Sequence, residues 1–177
     1  PVTMVAYSPH ILVVHPSVPA RSVKDLVTLA KAKPGALNYA SNGPGSSSHL
    51  AGELFKLMTG IPATHIPYKG TGPAMTALLG QEYHFNFSGI APASGMVAAG
   101  KVKGLAVTSL KRSPGLPNIP TVHESGLPGF EVVGWYGVMA PPKLPQPLLA
   151  RLHKELVTIL HDPQMEKTII NQGAMPV

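Results

Sequence analysis

The sequence predicts an α/β domain, built on a mostly parallel sheet with helices on both faces. Two observations predict this class. Short apolar runs of strand length alternate with longer stretches whose apolar residues recur at helical spacing. Glycine or proline stands at most of the boundaries between them. Because strands and helices alternate along the chain, consecutive strands are expected to run parallel through right-handed crossovers.

Five apolar runs are predicted strands, and four helices are predicted between them. The strands are ILVV (residues 11–14), LNYA (37–40), THIPY (64–68), HFNF (84–87) and GLAV (104–107). The first helix follows Ser22 as its N-cap, and the fourth covers about residues 91–99. The second helix has an apolar row of Leu50, Leu54 and Met58, with Ala51 and Phe55 on the adjoining row. The third helix has its apolar residues between positions 75 and 79.

The composition of the chain changes after residue 107. Residues 109–130 are rich in proline and glycine and predict an irregular path over the surface. Residues 130–141 predict one long strand, broken or bulged at Gly134. A helix is predicted after Pro145, and a shorter helix is predicted to start with Asp162 as its N-cap. The chain then approaches another strand.

Composition excludes several classes of protein. Hydrophobic residues make up 44% of the chain and charged residues 12%, which is typical of a globular domain. The net charge of +6 comes from scattered lysines and arginines with few aromatic residues, so it indicates mild attraction for anions and no nucleic-acid partner. The chain has no cysteine for a disulfide, a thiolate metal site or a thiol nucleophile. No apolar run reaches transmembrane length.

The candidate binding residues follow the predicted strands. In an open parallel sheet, ligands bind outside the carboxyl ends of the strands. Those positions carry small hydrogen-bonding residues, above all SNGPGSSS after the second strand and KGTG after the third. Ser46, Ser47 and Ser48 are expected around a helix N-terminus, where unpaired N–H groups favour an anion, and Thr71 has the same place on the third helix. From position alone, ordinary turns and helix caps explain these residues equally well.

Patterns for catalysis and metal binding are not matched. The loop GPGSSS has Ser48 where a dinucleotide loop needs its third glycine, and no G-x-S-x-G elbow is present. The two aspartates lie in helix contexts, and the eight histidines never fall at i, i+4 spacing. We therefore expect no catalytic residue, cofactor or metal. The alternative is a small α/β hydrolase or transferase that uses the Ser46 to Ser48 segment, although the sequence gives it no nucleophile–base pair.

Several motifs in one order resemble a known family. They are residues 12–60, from LVVHPSVPARS to ELFKLMTG, HIPYKGTGPAMTALLGQ (65–81), and residues 98–141, which include GLAVTSLKRSPGLPNIPTVHESGLPGF. Together with the tail they resemble the Bug family, the TctC-like extracytoplasmic solute receptors of tripartite tricarboxylate transporters. The resemblance covers essentially the whole chain.

The resemblance implies a periplasmic protein of the type II binding-protein fold, with two α/β domains around a ligand cleft. Residues 1–130 resemble the second domain, and residues 131–177 resemble the crossover strand and helices that normally pack on the first. The chain is expected to lack the signal peptide and that first domain. The implied partners are a small mono- or dicarboxylate or an aromatic acid, and a membrane permease. The apolar face of the C-terminal helices also predicts burial by a second copy, as a homodimer, or by folding back.

The resemblance also implies which residues contact the ligand. The loop from Ser41 to Ser48 looks like the carboxylate-binding loop of the second domain, and the PYKG run lies at the cleft edge. Ser88 stands where family members commonly carry Asp or Asn. The predicted set is Ser41, Asn42, Gly43, Gly45, Ser46, Ser47, Ser48, Tyr68, Lys69, Gly70, Ser88 and Gly89. Lys69 is either the counter-charge of an anionic ligand or a solvated loop lysine.

Overall fold

The computed structural model describes residues 1–177, and its strands and helices alternate from the first strand to the fifth. The elements in order are β1 (Thr3–Val14), α1 (Val23–Ala32), β2 (Leu37–Ser41), α2 (Ser47–Thr59), β3 (Ala63–Pro67), α3 (Thr71–Leu79), β4 (Phe85–Gly89), α4 (Ile90–Ala98), β5 (Lys103–Val107), β6 (Val133–Val138), α5 (Gln146–Leu160), α6 (Pro163–Asn171) and β7 (Met175–Pro176).

The central sheet has the strand order β3-β2-β4-β1-β5. Strand β2 pairs in parallel with β3 and β4, whereas β1 lies between β4 and β5 and is antiparallel to both. Four of the five strands therefore run in one direction. Helices α1 and α2 pack into the core on one face, and α3 and α4 pack into a second core on the other. The prediction of a mostly parallel sheet with helices on both faces is confirmed.

The predicted apolar row of α2 is only partly buried: Leu54 packs on the core, but Leu50 and Met58 are exposed. Leu50 is 56% exposed, whereas Ala51 and Phe55 are fully buried. The reason is shape. The Phe55 ring fits edge-on against Phe87 at 5.7 Å and against Phe130 at 6.3 Å, and an aliphatic side chain would not fill that aromatic cluster as well.

Strand β1 is much longer than the apolar run that predicted it. Its residues 10–14 lie in the central sheet, and residues 3–9 pair with β6 in a two-stranded ribbon, which β7 joins. The predicted strand over residues 130–141 is shorter, at residues 133–138. The register shift lies on β1 between Met4 and Ala6, not at Gly134, which pairs regularly with Ser8. The predicted bulge was therefore placed on the wrong strand.

Residues 109–130 follow an irregular path, but the path is anchored to the core. Val122 and Phe130 are fully buried, and Thr121 bridges to Val107 at the end of β5. The predicted surface path is thus correct only for its exposed half. The reason is that two apolar side chains, separated by polar turns, are enough to fix such a segment against a sheet face.

The C-terminal segment has the predicted elements. The Asp162 carboxylate accepts hydrogen bonds from the backbone N–H groups of Gln164 and Met165, as an N-cap does, and β7 is the predicted last strand. Helix α5 has no buried residue, and Leu152 and Ile159 on it are 39% and 48% exposed. The division at residue 130 and the homodimer remain predictions. No helix combines the length and apolar character needed to cross a membrane.

Candidate ligand-binding site

A cavity of about 270 Å³ lies where the central sheet meets the ribbon. Its walls come from the residue that follows β2, from the last residue of β4, from the starts of α2 and α3, and from strands β1 and β6. The lining residues are Ser8, His10, Asn42, Ser47, Thr71, Gly89, Gly134, Trp135 and Tyr136. The cavity thus lies at the carboxyl ends of the parallel strands, where the sequence predicts a ligand.

Three helices start at this cavity. Ser47 is the first residue of α2, Thr71 is the first of α3, and Gly89 is the N-cap of α4. Helices α3 and α4 have no side-chain cap, so the N–H groups of their first turns stay available to a ligand. An anion at a helix N-terminus gains about 0.3–1 kcal/mol when exposed and up to about 2 when partly buried.

Three serines of the loop from Ser41 to Ser48, called the serine loop below, turn their hydroxyls into the loop itself. The Ser48 hydroxyl is buried and accepts from the N–H of Asn42 at 2.9 Å. Ser46 donates to the carbonyl of Gly43 at 2.6 Å, and the Ser41 hydroxyl accepts from the N–H of Gly43 at 3.1 Å. These three side chains give the loop its shape, and only Asn42 and Ser47 of the serine loop line the cavity.

The two glycines of the serine loop are required by its backbone. Gly43 has a φ of 122° and Gly45 a φ of 76°, which are conformations that L side chains adopt rarely. They turn the chain from the end of β2 into α2 within five residues. This turn places the start of α2 at the cavity.

The structure brings three of the twelve predicted residues into the lining: Asn42, Ser47 and Gly89. Tyr68 is turned away, because its hydroxyl donates to Glu82 and its ring packs on Tyr83. Ser88 is buried in the sheet, and its hydroxyl has no hydrogen-bond partner. Lys69 is exposed and forms no ion pair, which leaves both interpretations of it open. Gly70 contributes as the N-cap residue of α3 and not as a lining residue.

Strands β1 and β6 supply the lining residues that sequence reasoning missed. Ser8 and His10 project from the same face of β1, and Gly134 and Tyr136 have the same two-residue spacing on β6. Trp135 and Tyr136 of β6 also line the cavity. The available signal was the polar Ser8 and His10 at alternate positions directly before a fully apolar run.

His10 is the one buried ionisable residue of the cavity. Only 6% of it is exposed, and burial lowers its pKa from 6.5 to about 4, so the ring is neutral at physiological pH. Its Nε2 atom lies 3.1 Å from the Ser47 hydroxyl, and its Nδ1 atom is buried without a partner. This is a serine–histidine contact, but no carboxylate orients the ring as in a catalytic triad.

A larger cavity of about 630 Å³ also lies against the ribbon, between Tyr7, Trp135 and the residues that follow β5. No helix starts in it, and its lining is mainly apolar. The smaller cavity is the candidate binding site, because strand ends and helix N-termini converge there.

A family model, described as the tripartite tricarboxylate transporter family receptor, matches residues 1–177. The chain belongs to this family. Bug proteins are among its relatives: the chain is 35% identical over 177 residues to Protein BugT of Bordetella pertussis, which covers all of this chain and 54% of BugT. The chain spans about half the length of the curated relatives that it matches.

Solved structures of the receptor family share the fold. The chain is similar to R. palustris Rpa4515 with adipate, at a TM-score of 0.92 and 35% identity, covering 99% of this chain and 59% of that one. It is also similar to MatC from Rhodopseudomonas palustris with bound malate, at a TM-score of 0.85 and 29% identity, covering 99% and 60%. Adipate and malate are both small dicarboxylates.

Proposed function

We propose that this chain forms one wall of the ligand cleft in a periplasmic solute-binding receptor. The receptor would bind a small organic carboxylate and deliver it to the membrane permease of a tripartite tricarboxylate transporter. The observation that carries the proposal is the convergence of three helix N-termini on one cavity. The ligands named for two solved relatives, adipate and malate, support a carboxylate as the bound species.

The chemistry of the lining favours an anion without a fixed counter-charge. No Asp, Glu, Lys or Arg is among the nine lining residues. A carboxylate would accept hydrogen bonds from backbone N–H groups at the starts of α3 and α4 and from the hydroxyl of Thr71. Such a site holds negative charge by oriented dipoles, so small differences in ligand shape decide the affinity. The proposed role is to bind the carboxylate without making or breaking a covalent bond.

The lining residues come from one end of the central sheet and from the ribbon. We expect a second wall, supplied by the part of the receptor that corresponds to the unmatched half of the relatives, to close over the ligand. The chain alone then offers only part of the hydrogen bonds to the ligand. Its affinity for a carboxylate should be correspondingly weak.

The substitution Thr71→Asp tests the anion site. It places a negative charge at the start of α3 inside the cavity, and at about 5 Å from a carboxylate the repulsion is about 3 kcal/mol at an effective dielectric constant of about 20. We expect the affinity for adipate or malate to fall at least tenfold. The helix itself should tolerate the change, because an acidic residue in a first turn is favourable. Calorimetry on the receptor-length protein and NMR titration of the 177-residue chain measure the effect.

The matched control is Pro73→Asp, which adds the same charge to the same helical turn at an exposed residue outside the lining. It should change affinity much less than Thr71→Asp does. Equal losses for both variants would show that only the net charge matters and would contradict the assigned cavity. Failure of the unmodified receptor to bind any small carboxylate would overturn the function itself.

The hydrolase alternative has one observation in its favour, the contact between Ser47 and His10. Two features weaken it. The Nδ1 atom of His10 has no orienting partner, and a pKa of about 4 makes the ring a poor base at neutral pH. Ser48 is buried and bonded within the serine loop, so Ser47 is the residue to test. Turnover of p-nitrophenyl acetate that is lost in Ser47→Ala would support an enzyme.

A further inference from the structure

Two histidines outside the cavity lining hold the serine loop. The Nδ1 atom of His49 accepts a hydrogen bond from the backbone N–H of Gly45 at 3.0 Å. The Nε2 atom of His65, on β3, lies 2.6 Å from the hydroxyl of Ser41. The two imidazole rings stack with their centroids 4.1 Å apart and their planes at 19°. Neither histidine lines the cavity.

We propose that His49 and His65 are positioning residues of the serine loop, and that protonation of His49 releases Gly45 and lowers the affinity of the receptor for a carboxylate. The proposal rests on the proposed function, since it assigns a regulation to the same site. Carboxylate binding is then strongest at neutral pH and weaker in mild acid.

The hydrogen bond to Gly45 defines the protonation state of His49. An imidazole nitrogen that accepts a hydrogen bond carries no proton, so His49 is neutral and bears its proton on Nε2. A second proton would go to Nδ1 and turn the acceptor into a donor that faces the N–H of Gly45. The His49 ring would have to rotate out of the stack with His65. The turn between Gly43 and Ser46 would then lose the hydrogen bond that holds Gly45.

The groups around the pair set how readily it takes up a proton. From β2, Tyr39 stacks on His65 at 4.9 Å and donates its hydroxyl to Glu53 of α2. Lys56 binds the same Glu53 carboxylate at 2.8 Å, which offsets its negative charge. Burial, and after it the charge on His49, lowers the pKa of His65. Two imidazolium rings at this distance repel each other, so a charge on His49 disfavours a charge on His65.

The first measurement uses the ligand-free protein. In NMR spectra recorded from about pH 7.5 to about pH 5.5, we expect the Gly45 amide signal to shift, and its protection against hydrogen exchange to fall about tenfold relative to the intrinsic rate. The variant His49→Asn keeps a neutral oxygen acceptor near the position of Nδ1, so its Gly45 amide should not respond. His49→Leu removes the acceptor and should lack the protection at every pH. The amide of Gly100, which bonds to Val97 away from the site, reports whether each variant is folded.

The second measurement is calorimetric titration of the receptor with adipate at about pH 7.5 and about pH 6. We expect the affinity of the unmodified protein to fall about tenfold, the equivalent of one lost hydrogen bond of about 1.4 kcal/mol, and that of His49→Asn to stay nearly constant. Both proteins meet the same ionisation of adipate, so the difference between them isolates the histidine.

Each outcome decides between the alternatives. A rise of carboxylate affinity in acid would mean that the imidazolium attracts the anion instead of releasing the loop, and it would overturn the proposal. A Gly45 amide signal that does not respond to pH would overturn it as well. If Gly45 responds but adipate, malate and other small carboxylates bind at neither pH, the positioning role of His49 stands and the carboxylate function fails.

Discussion

Replacing Gly52 by alanine is expected to destabilise the protein by about 2–3 kcal/mol, although the change adds a single methyl group. A Cβ atom at this position would lie 2.1 Å from Cε2 of the Tyr39 ring. The ring has little room to move, because His65 and Phe85 stack against it and its hydroxyl is bonded to Glu53. Urea denaturation followed by circular dichroism measures the free energy of unfolding.

The matched control for this prediction is Gly95→Ala, which lies in the middle of α4 with no atom within 4 Å of the new Cβ. It should stabilise the protein by about 0.5–1 kcal/mol, since alanine is the better helix former. The two substitutions are chemically identical and are expected to have opposite signs. A common sign would show that helix propensity, and not the contact with Tyr39, decides the outcome.

The second large effect expected is a loss of folding stability in acid. The pKa of His10 is lowered from 6.5 to about 4 by burial, so the unfolded chain takes up this proton before the folded one does. The stability contributed by the neutral ring is complete above about pH 6.5 and is lost as the pH falls to about 4. At 1.36 kcal/mol per pKa unit, the loss from this residue is about 3 kcal/mol.

The variant His10→Gln isolates that contribution. Glutamine stays neutral and can still bond to Ser47, so its free energy of unfolding should fall about 3 kcal/mol less than that of the unmodified protein between about pH 7 and about pH 4. Burial also lowers the pKa values of His65 and His84, but both residues are present in both proteins and cancel in the difference. Parallel stability profiles for the two proteins would contradict the assignment.

The sequence predicted those features that depend on neighbours in the chain. Helix and strand positions follow from local periodicity, and the N-cap role of Asp162 follows from a residue and the turn after it. The predicted row of α2 was wrong for Leu50 and Met58, which are exposed, because the fit of Phe55 on the adjoining row decides which face is buried. Apolar count and apolar fit are different quantities, and only the second depends on the partner strands.

The cavity could be predicted only in part, for a related reason. Asn42, Ser47 and Gly89 follow strands or begin helices, and such places are recognisable in a sequence. The contribution of the ribbon depends on pairs such as Tyr7 with Trp135, which are far apart along the chain. The direction of each serine hydroxyl depends on hydrogen bonds that exist only once the serine loop has folded. Composition identifies such a loop in the sequence. Only the folded structure shows which of its side chains hold the loop and which line the cavity.

The position of β1 between β4 and β5 has a consequence for how this domain folds. Strand β1 fills the gap between β4 and β5, pairing Ile11 with Ser88 and with Val107, so its partners are 77 and 96 residues away. Pairings of such high sequence separation form slowly, because the chain must close long loops before it gains any contact. Until β1 inserts, β4 and β5 each present an unpaired apolar edge to solvent. The refolding rate of this domain is therefore expected to depend on its first fourteen residues more than on any helix.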